Sequence, residues 1–132
     1  MRKRDLALKA AAAPALTPHI RRKESLRKAL GQAREALDLS FDQFGRIFHV
    51  SGETVRRWET GAIAIPESYW ATTTLLAQET NRLLKLFEPH RLPIVIRRPA
   101  EVFTGRTALD WIFDGRIQEA TDFYEAALLY QA

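Results

Sequence analysis

The chain has 132 residues, 46% of them hydrophobic and 27% charged, which is the balance of a globular protein with room for one medium domain or two very small ones. It has no cysteine, which excludes a disulfide framework, a zinc finger and a thiol nucleophile, and its three histidines lie far apart, so neither a metal nor a cofactor is expected. The net charge of +4 is uneven, at +7 over residues 1–30, +1 over 31–98 and −4 over 99–132. A basic front suits a polyanion and an acidic end does not.

Residues 1–22 read as a flexible basic arm, with residues 10–13 all alanine and Pro14 and Pro18 breaking any apolar period. Asp5 and Lys9 interrupt the segment after Met1-Arg2-Lys3-Arg4, and no stretch approaches the roughly 18 apolar residues of a membrane span. A cytoplasmic protein with no membrane partner is expected. From there the periodicity is helical. Leu26, Leu30, Ala33 and Leu37 form one stripe, broken at Asp38-Leu39. Ser40 and Gln43 make a capping box for a second helix whose inner face is Phe44, Ile47 and Phe48. After a turn at His49-Val50, Ser51 caps a third helix with Val55 and Trp58 inside, closed by Gly61. Residues 62–66 are a loop. A longer helix follows with the stripe Leu76, Thr80, Leu83, Leu84 and Phe87, stopped by Pro89. Residues 92–96 are short, apolar and β-branched, which suits a strand or an extended tether. Thr107 caps a short helix ending near Gly115, and a last helix runs to about Tyr130 with Ile117, Ala120, Tyr124, Ala127 and Leu128 on one side.

The pattern predicts an all-α protein in four parts: the arm at 1–22, a helix-turn-helix at 23–66, a connecting helix at 67–90, and a C-terminal helical unit at 91–132. Two short helices joined by a tight turn, the second opened by a hydroxyl residue, is the geometry that carries a recognition helix into the major groove. On that helix Gly52, Glu53, Arg56 and Arg57 are the expected base-facing residues: arginine pairs bidentately with guanine and a carboxylate accepts from cytosine. Ser40, Phe41, Arg46, Ser51 and Thr54 are the expected backbone contacts. A single such unit reads only a half-site, so a homodimer or larger even oligomer on double-stranded DNA is expected. No acid pair, phosphate loop or nucleophile motif is present, and Ser40 and Ser51 are helix caps, so no enzyme activity is expected.

Arg34, Leu37, Leu39-Ser40, Phe44-Gly45, Val50-Ser51, Thr54-Val55, Arg57-Trp58-Glu59 and Gly61 together resemble the Xre (Cro/repressor-like) family. The resemblance implies an ion pair between Arg34 and Glu59. His49 stands where the family has a turn glycine, Gly52 where a base-reading side chain is common, and Phe41 where a polar contact is common. A second resemblance covers the C-terminal third. Leu84-x-Leu86-Phe87, Arg97-Arg98-Pro99, the run from Phe103-Thr104-Gly105-Arg106 to Asp110, and Asp114-Gly115-Arg116 are similar to the toxin-binding domain of Xre/ParS-type antitoxins. Here Thr104 replaces a first glycine. The partners of that family are RES-domain toxins acting on NAD, and the resemblance implies toxin contacts at Arg98, Phe103, Gly105, Arg106, Trp111, Asp114, Arg116, Tyr124 and Tyr130. The −4 charge of this end complements the basic pocket that an anionic ligand such as NAD requires, and its aromatics are expected to be exposed anchors. The alternatives are a stand-alone Xre-family repressor without a toxin, and a protein-interaction module whose helix-turn-helix is disused.

Overall fold

The computed structural model describes residues 18–131. All its regular elements are helical, apart from one isolated bridge between Pro99 and Thr107. The helices are α1 (Pro18–Leu37), α2 (Phe41–Phe48), α3 (Gly52–Thr60), α4 (Trp70–Leu86), the short α5 (Leu92–Val95), α6 (Ala108–Phe113) and α7 (Ile117–Gln131), with 3₁₀ turns at Glu67–Tyr69 and Glu101–Phe103.

The expected arm lies outside the described residues up to position 17. Its remainder is helical, because α1 starts at Pro18 rather than near residue 23. Proline at a first helical position has its ring set for the helix and no N–H to leave unpaired. Leu26, Leu30, Ala33 and Leu37 are all buried, as their spacing requires. The break falls at Asp38, in the left-handed region at φ 54°. The N–H of Gln43 donates to Ser40 Oγ at 3.1 Å and the N–H of Ser40 donates to Gln43 Oε1 at 2.9 Å, closing the capping box of α2. In the turn to α3, a Cβ on Gly45 would lie 2.5 Å from the Val50 carbonyl oxygen, so only glycine lets the chain reverse there. His49 takes the left-handed conformation at φ 59°. Thr54 N–H donates to Ser51 Oγ at 3.1 Å to open α3, and Gly61 closes it at φ 82°.

One core joins these helices to the C-terminal unit, running from Leu26 through Phe44, Val55, Trp58, Leu76 and Leu83 to Phe103, Ile112 and Ala120. Residues 92–96 are not a strand: they form α5 and its cap, with Leu92 and Ile96 fully buried. Those two residues are four apart, the helical spacing, and Pro93 sits in the first helical turn, where it is tolerated. Arg97 then donates to the carbonyls of Leu37 (3.0 Å) and Asp38 (2.6 Å), capping the end of α1. Arg82 of α4 reaches Asp122 (2.9 Å) and Glu125 (2.6 Å) of α7. These carboxylates hold its guanidinium above its ordinary pKa.

The Arg34–Glu59 pair is present and bidentate, with Nε to Oε2 at 2.6 Å and Nη2 to Oε1 at 3.1 Å, while Nη1 donates to the Leu39 carbonyl at 3.0 Å. Its side chains are only 17% and 13% exposed. Glu59 raises the Arg34 pKa through this hydrogen bonding. Removing the arginine strands a nearly dry carboxylate. Arg34→Ala should therefore lower unfolding stability by about 2–3 kcal/mol in chemical denaturation, and a wild-type midpoint would show that the pair contributes nothing.

Candidate functional site

The exposed face of α3 carries Glu53, Arg56 and Arg57, with side-chain exposures of 52%, 47% and 52%. They are bound to one another. Arg56 donates to both carboxylate oxygens of Glu53, through Nε to Oε2 at 3.0 Å and through Nη2 to Oε1. Arg57 Nε reaches Oε1 at 3.1 Å. The bonds from Arg56 and then Arg57 pull the Glu53 carboxyl down to a pKa of about 2. The face thus presents two guanidiniums tethered to one carboxylate, all of them donors or acceptors of the kind that base edges and phosphates take.

The other expected contacts are placed unevenly. Gly52 is buried: a Cβ there would lie 2.0 Å from Asp42 Oδ1 and 2.7 Å from the Asp42 backbone nitrogen. Its missing side chain lets the start of α3 pass against the start of α2, which removes it from the outward set. Ser40 and Ser51 are exposed, with their hydroxyls accepting at the helix starts, and Thr54 is half-buried with its hydroxyl 3.0 Å from Ser51 Oγ. Phe41 lies beneath the Arg34 guanidinium at 4.3 Å. Arg46 lies 4.2 Å over the ring of Phe113 in α6, so this residue of α2 touches the C-terminal unit.

In the C-terminal third the expected contact residues separate into core and surface. Phe103 is fully buried and Trp111 is 5% exposed. Phe103 packs edge-on to Trp111 (5.1 Å), Phe123 (5.9 Å) and Tyr124 (5.4 Å), so it is the hub of a small aromatic core. The expectation that these aromatics are exposed anchors is corrected on this point, since helices this short need them as a core. Gly105 (φ 80°) shapes the turn before α6. Tyr124 is half-buried, its hydroxyl donating to the Val95 carbonyl at 3.4 Å and pushed up to a pKa of about 12 by burial. Arg98 is exposed, and Arg106 pairs with Asp114 at 2.9 Å. Arg116 lies 3.8 Å over Trp111 and pairs with Glu119 at 2.7 Å. The acidic character of this end is likewise spent internally. Asp110 caps α6, and Asp114, Glu119, Asp122 and Glu125 are each paired with an arginine. These ion pairs stay about half exposed, and apolar side chains face water as well. Tyr130 is 92% and Leu129 75% exposed, with Leu128 and Phe123 beside them on α7. Leu129 stands off the buried stripe of the last helix, and an apolar residue off the stripe is the sequence signal that marks it.

These parts define an all-α protein in which a helix-turn-helix is packed onto a small aromatic-cored helical unit. The fold has a solved counterpart. A chain of the crystallised MbcT-MbcA toxin-antitoxin complex of M. tuberculosis matches with a TM-score of 0.62, over 76% of this chain and 91% of its own, at 22% sequence identity. At that identity the likeness is one of fold. No model of a protein family matches the sequence, and no curated protein matches it.

Two measurements check this geometry. Gly52→Ala should cost about 1–3 kcal/mol of stability by denaturation, because backbone as well as a side chain must move; a neutral outcome would put position 52 in open space. Carbon-detected titration of the Glu53 carboxyl should give a midpoint near 2. Because the folded pKa is depressed, the pairing holds throughout the range above the ordinary carboxylate value and is lost as the pH falls through the folded midpoint. An ordinary midpoint would mean the arginines are not held.

Proposed function

We propose that the chain is the antitoxin of a toxin–antitoxin pair, holding its toxin through the C-terminal unit and repressing its own promoter with α3 in the major groove. The observation that carries this reading is that the fold likeness spans both parts of the chain, and that the counterpart comes from a complex of a toxin with its antitoxin. The motif resemblance over residues 84–116 supplies the finer proposal, a RES-type partner that acts on NAD. On the DNA side the contacts are Glu53, Arg56 and Arg57 toward bases, and Ser40, Ser51 and Thr54 toward phosphates. On the toxin side the exposed apolar end of α7, with Leu128, Leu129 and Tyr130, supplies anchors that a partner can bury. Charge complementarity adds to this, because the −4 already counts Arg106 and Arg116 and only Arg82 reaches in from outside residues 99–132.

The core fixes how this must be tested. Residues beyond Arg98 include Phe103, Leu109, Trp111 and Ile112, so deleting them would unfold the protein, whereas Leu129 and Tyr130 can be changed on the surface. The full chain is co-expressed with the product of the adjacent reading frame, and binding to its own promoter is followed by gel shift. Leu129→Asp with Tyr130→Ala should release the toxin, with a fall in cellular NAD, and still shift the promoter. Arg57→Ala should weaken promoter binding by about 1–3 kcal/mol and keep the toxin silent. A protein that shifts DNA but captures no neighbour would give way to the repressor reading, and one that captures it but shifts no DNA would mark a disused helix-turn-helix.

A further inference from the structure

What α3 buries fixes the direction in which it faces outward. Gly52, Val55 and Trp58 are its buried residues, and Val55 lies at the middle of that stripe. At about 100° per residue, Glu53 and Arg57 each lie about 20° from the direction opposite Val55, whereas Thr54 and Arg56 lie about 80° to either side of it. The crest of α3 is therefore one carboxylate and one guanidinium, a single turn apart. Gly52 adds no side chain, and Thr60, the next residue toward the crest, turns its hydroxyl onto the Arg57 carbonyl at 3.2 Å.

The two arginines also differ in what Glu53 leaves them. A guanidinium carries five N–H donors. Arg57 gives one of them to Glu53, from Nε to Oε1 at 3.1 Å, and its two Nη groups at the outer end have no partner among the described residues. Arg56 gives two from one edge, Nε to Oε2 at 3.0 Å and Nη2 to Oε1. A guanidinium held at Nε keeps a fixed direction, and its two Nη groups make a fork that matches O6 and N7 of guanine. Holding the fork in advance removes ordering that binding would otherwise cost. We propose that, of the two arginines, Arg57 reads the base, taking a guanine end-on through Nη1 and Nη2, that Glu53 is the positioning residue that aims it, and that Arg56 holds Glu53 from the flank and faces the phosphate backbone. The inference rests on the reading of α3 as a major-groove helix and narrows its base-facing arginines to one. The Glu53 carboxyl, pulled down to about 2, stays ionised at ordinary assay pH, so the tether is present when DNA arrives.

The test uses the full chain and its own promoter. Each guanine of the protected region is replaced in turn by 7-deazaguanine, which lacks the N7 acceptor and keeps base pairing. At one guanine in each half-site the replacement should weaken wild-type binding about fivefold or more. Arg57→Lys keeps the charge and loses the fork, so it should bind native and substituted DNA alike with an unchanged salt slope. Arg56→Ala should keep the guanine dependence and lower the slope of log K against log salt by about 0.9. Glu53→Ala removes a negative charge and frees the fork, so it should tighten binding to random DNA and yet blunt the guanine dependence; a merely structural loss would weaken both. All three side chains are about half exposed, so these changes leave the core intact. Guanine dependence that survives in Arg57→Lys, disappears in Arg56→Ala or is unaltered in Glu53→Ala would overturn the inference. So would a wild type that shifts the promoter with no single guanine mattering, and each of these outcomes leaves promoter binding standing. A chain that shifts no DNA would remove the major-groove reading of α3 and this inference with it.

Discussion

The last turn of α1 is the joint on which the structure depends. Within it Arg34 reaches across to Glu59 at the end of α3 and back to the Leu39 carbonyl, while Leu37 is fully buried. The carbonyls it leaves open, at Leu37 and Asp38, are taken by Arg97 from the C-terminal unit. A helix end has partial negative charge and unsatisfied acceptors, so a cation arriving from elsewhere in the chain is both electrostatically favoured and geometrically specific. One arginine thus sets the angle of the putting-together of α1 and α3, and another sets the docking of everything after residue 91. Neither fixes its partner through contact area alone. Each fixes it through directional bonds, which is why two parts separated by about sixty positions along the chain (Arg97 to Leu37) behave as one core.

The connections carry strain that the helices do not. Asp38, His49 and Thr104 all sit at positive φ without being glycine. Asparagine-like residues and histidine visit this region at modest cost, but a β-branched residue pays of order 1–2 kcal/mol. Thr104 is held there by a tight turn in which Gly105 N–H donates to the Ala100 carbonyl at 3.0 Å and Thr104 N–H to that of Glu101 at 2.8 Å. Two of these three positions, His49 and Thr104, are where the sequence departs from a glycine in the families it resembles. The backbone geometry is therefore imposed by the packing on either side of each turn, and the residue accommodates it.

The helix-turn-helix was legible because its signals are local. Capping boxes, a left-handed closing glycine and a three-to-four apolar period are written within a few residues of where they act, and Ser40, Ser51, Gly61 and Thr107 all do what their positions imply. The C-terminal unit was legible as helices but not as a surface. Phe103 and Trp111 looked like exposed anchors because a short helix gives no sign of which neighbour will cover its aromatic ring; that is decided by α7 folding back over them. Gly52 failed for a related reason. Helical phase places it outward on α3, but α2 occupies that direction at the first turn. Residues 92–96 were ambiguous because five apolar residues fit either period, and only the burial of Leu92 and Ile96 together decides for the helix.

Internal pairing changes what the charges of this molecule can do. At the acidic end, Arg82, Arg106 and Arg116 pair with Asp114, Glu119, Asp122 and Glu125, while Leu129 and Tyr130 stand exposed beside them. On α3, Glu53 reduces two positive charges to a net of one, through bonds from Nε and Nη2 of Arg56 and from Nε of Arg57. A ligand that takes Arg56 through Nε and Nη2 together must displace Glu53 first, whereas Arg57 is tied to Glu53 through Nε alone. A phosphate group offers acceptors and negative charge but no donor, so it cannot satisfy the Glu53 carboxylate, which stays ionised down to a pH of about 2. A base pair that gives Glu53 a donor in return, as cytosine does next to guanine, satisfies the carboxylate and one of the two guanidiniums at once. The intramolecular pairing thus favours a ligand that offers Glu53 a donor while it takes a guanidinium over one that offers acceptors alone.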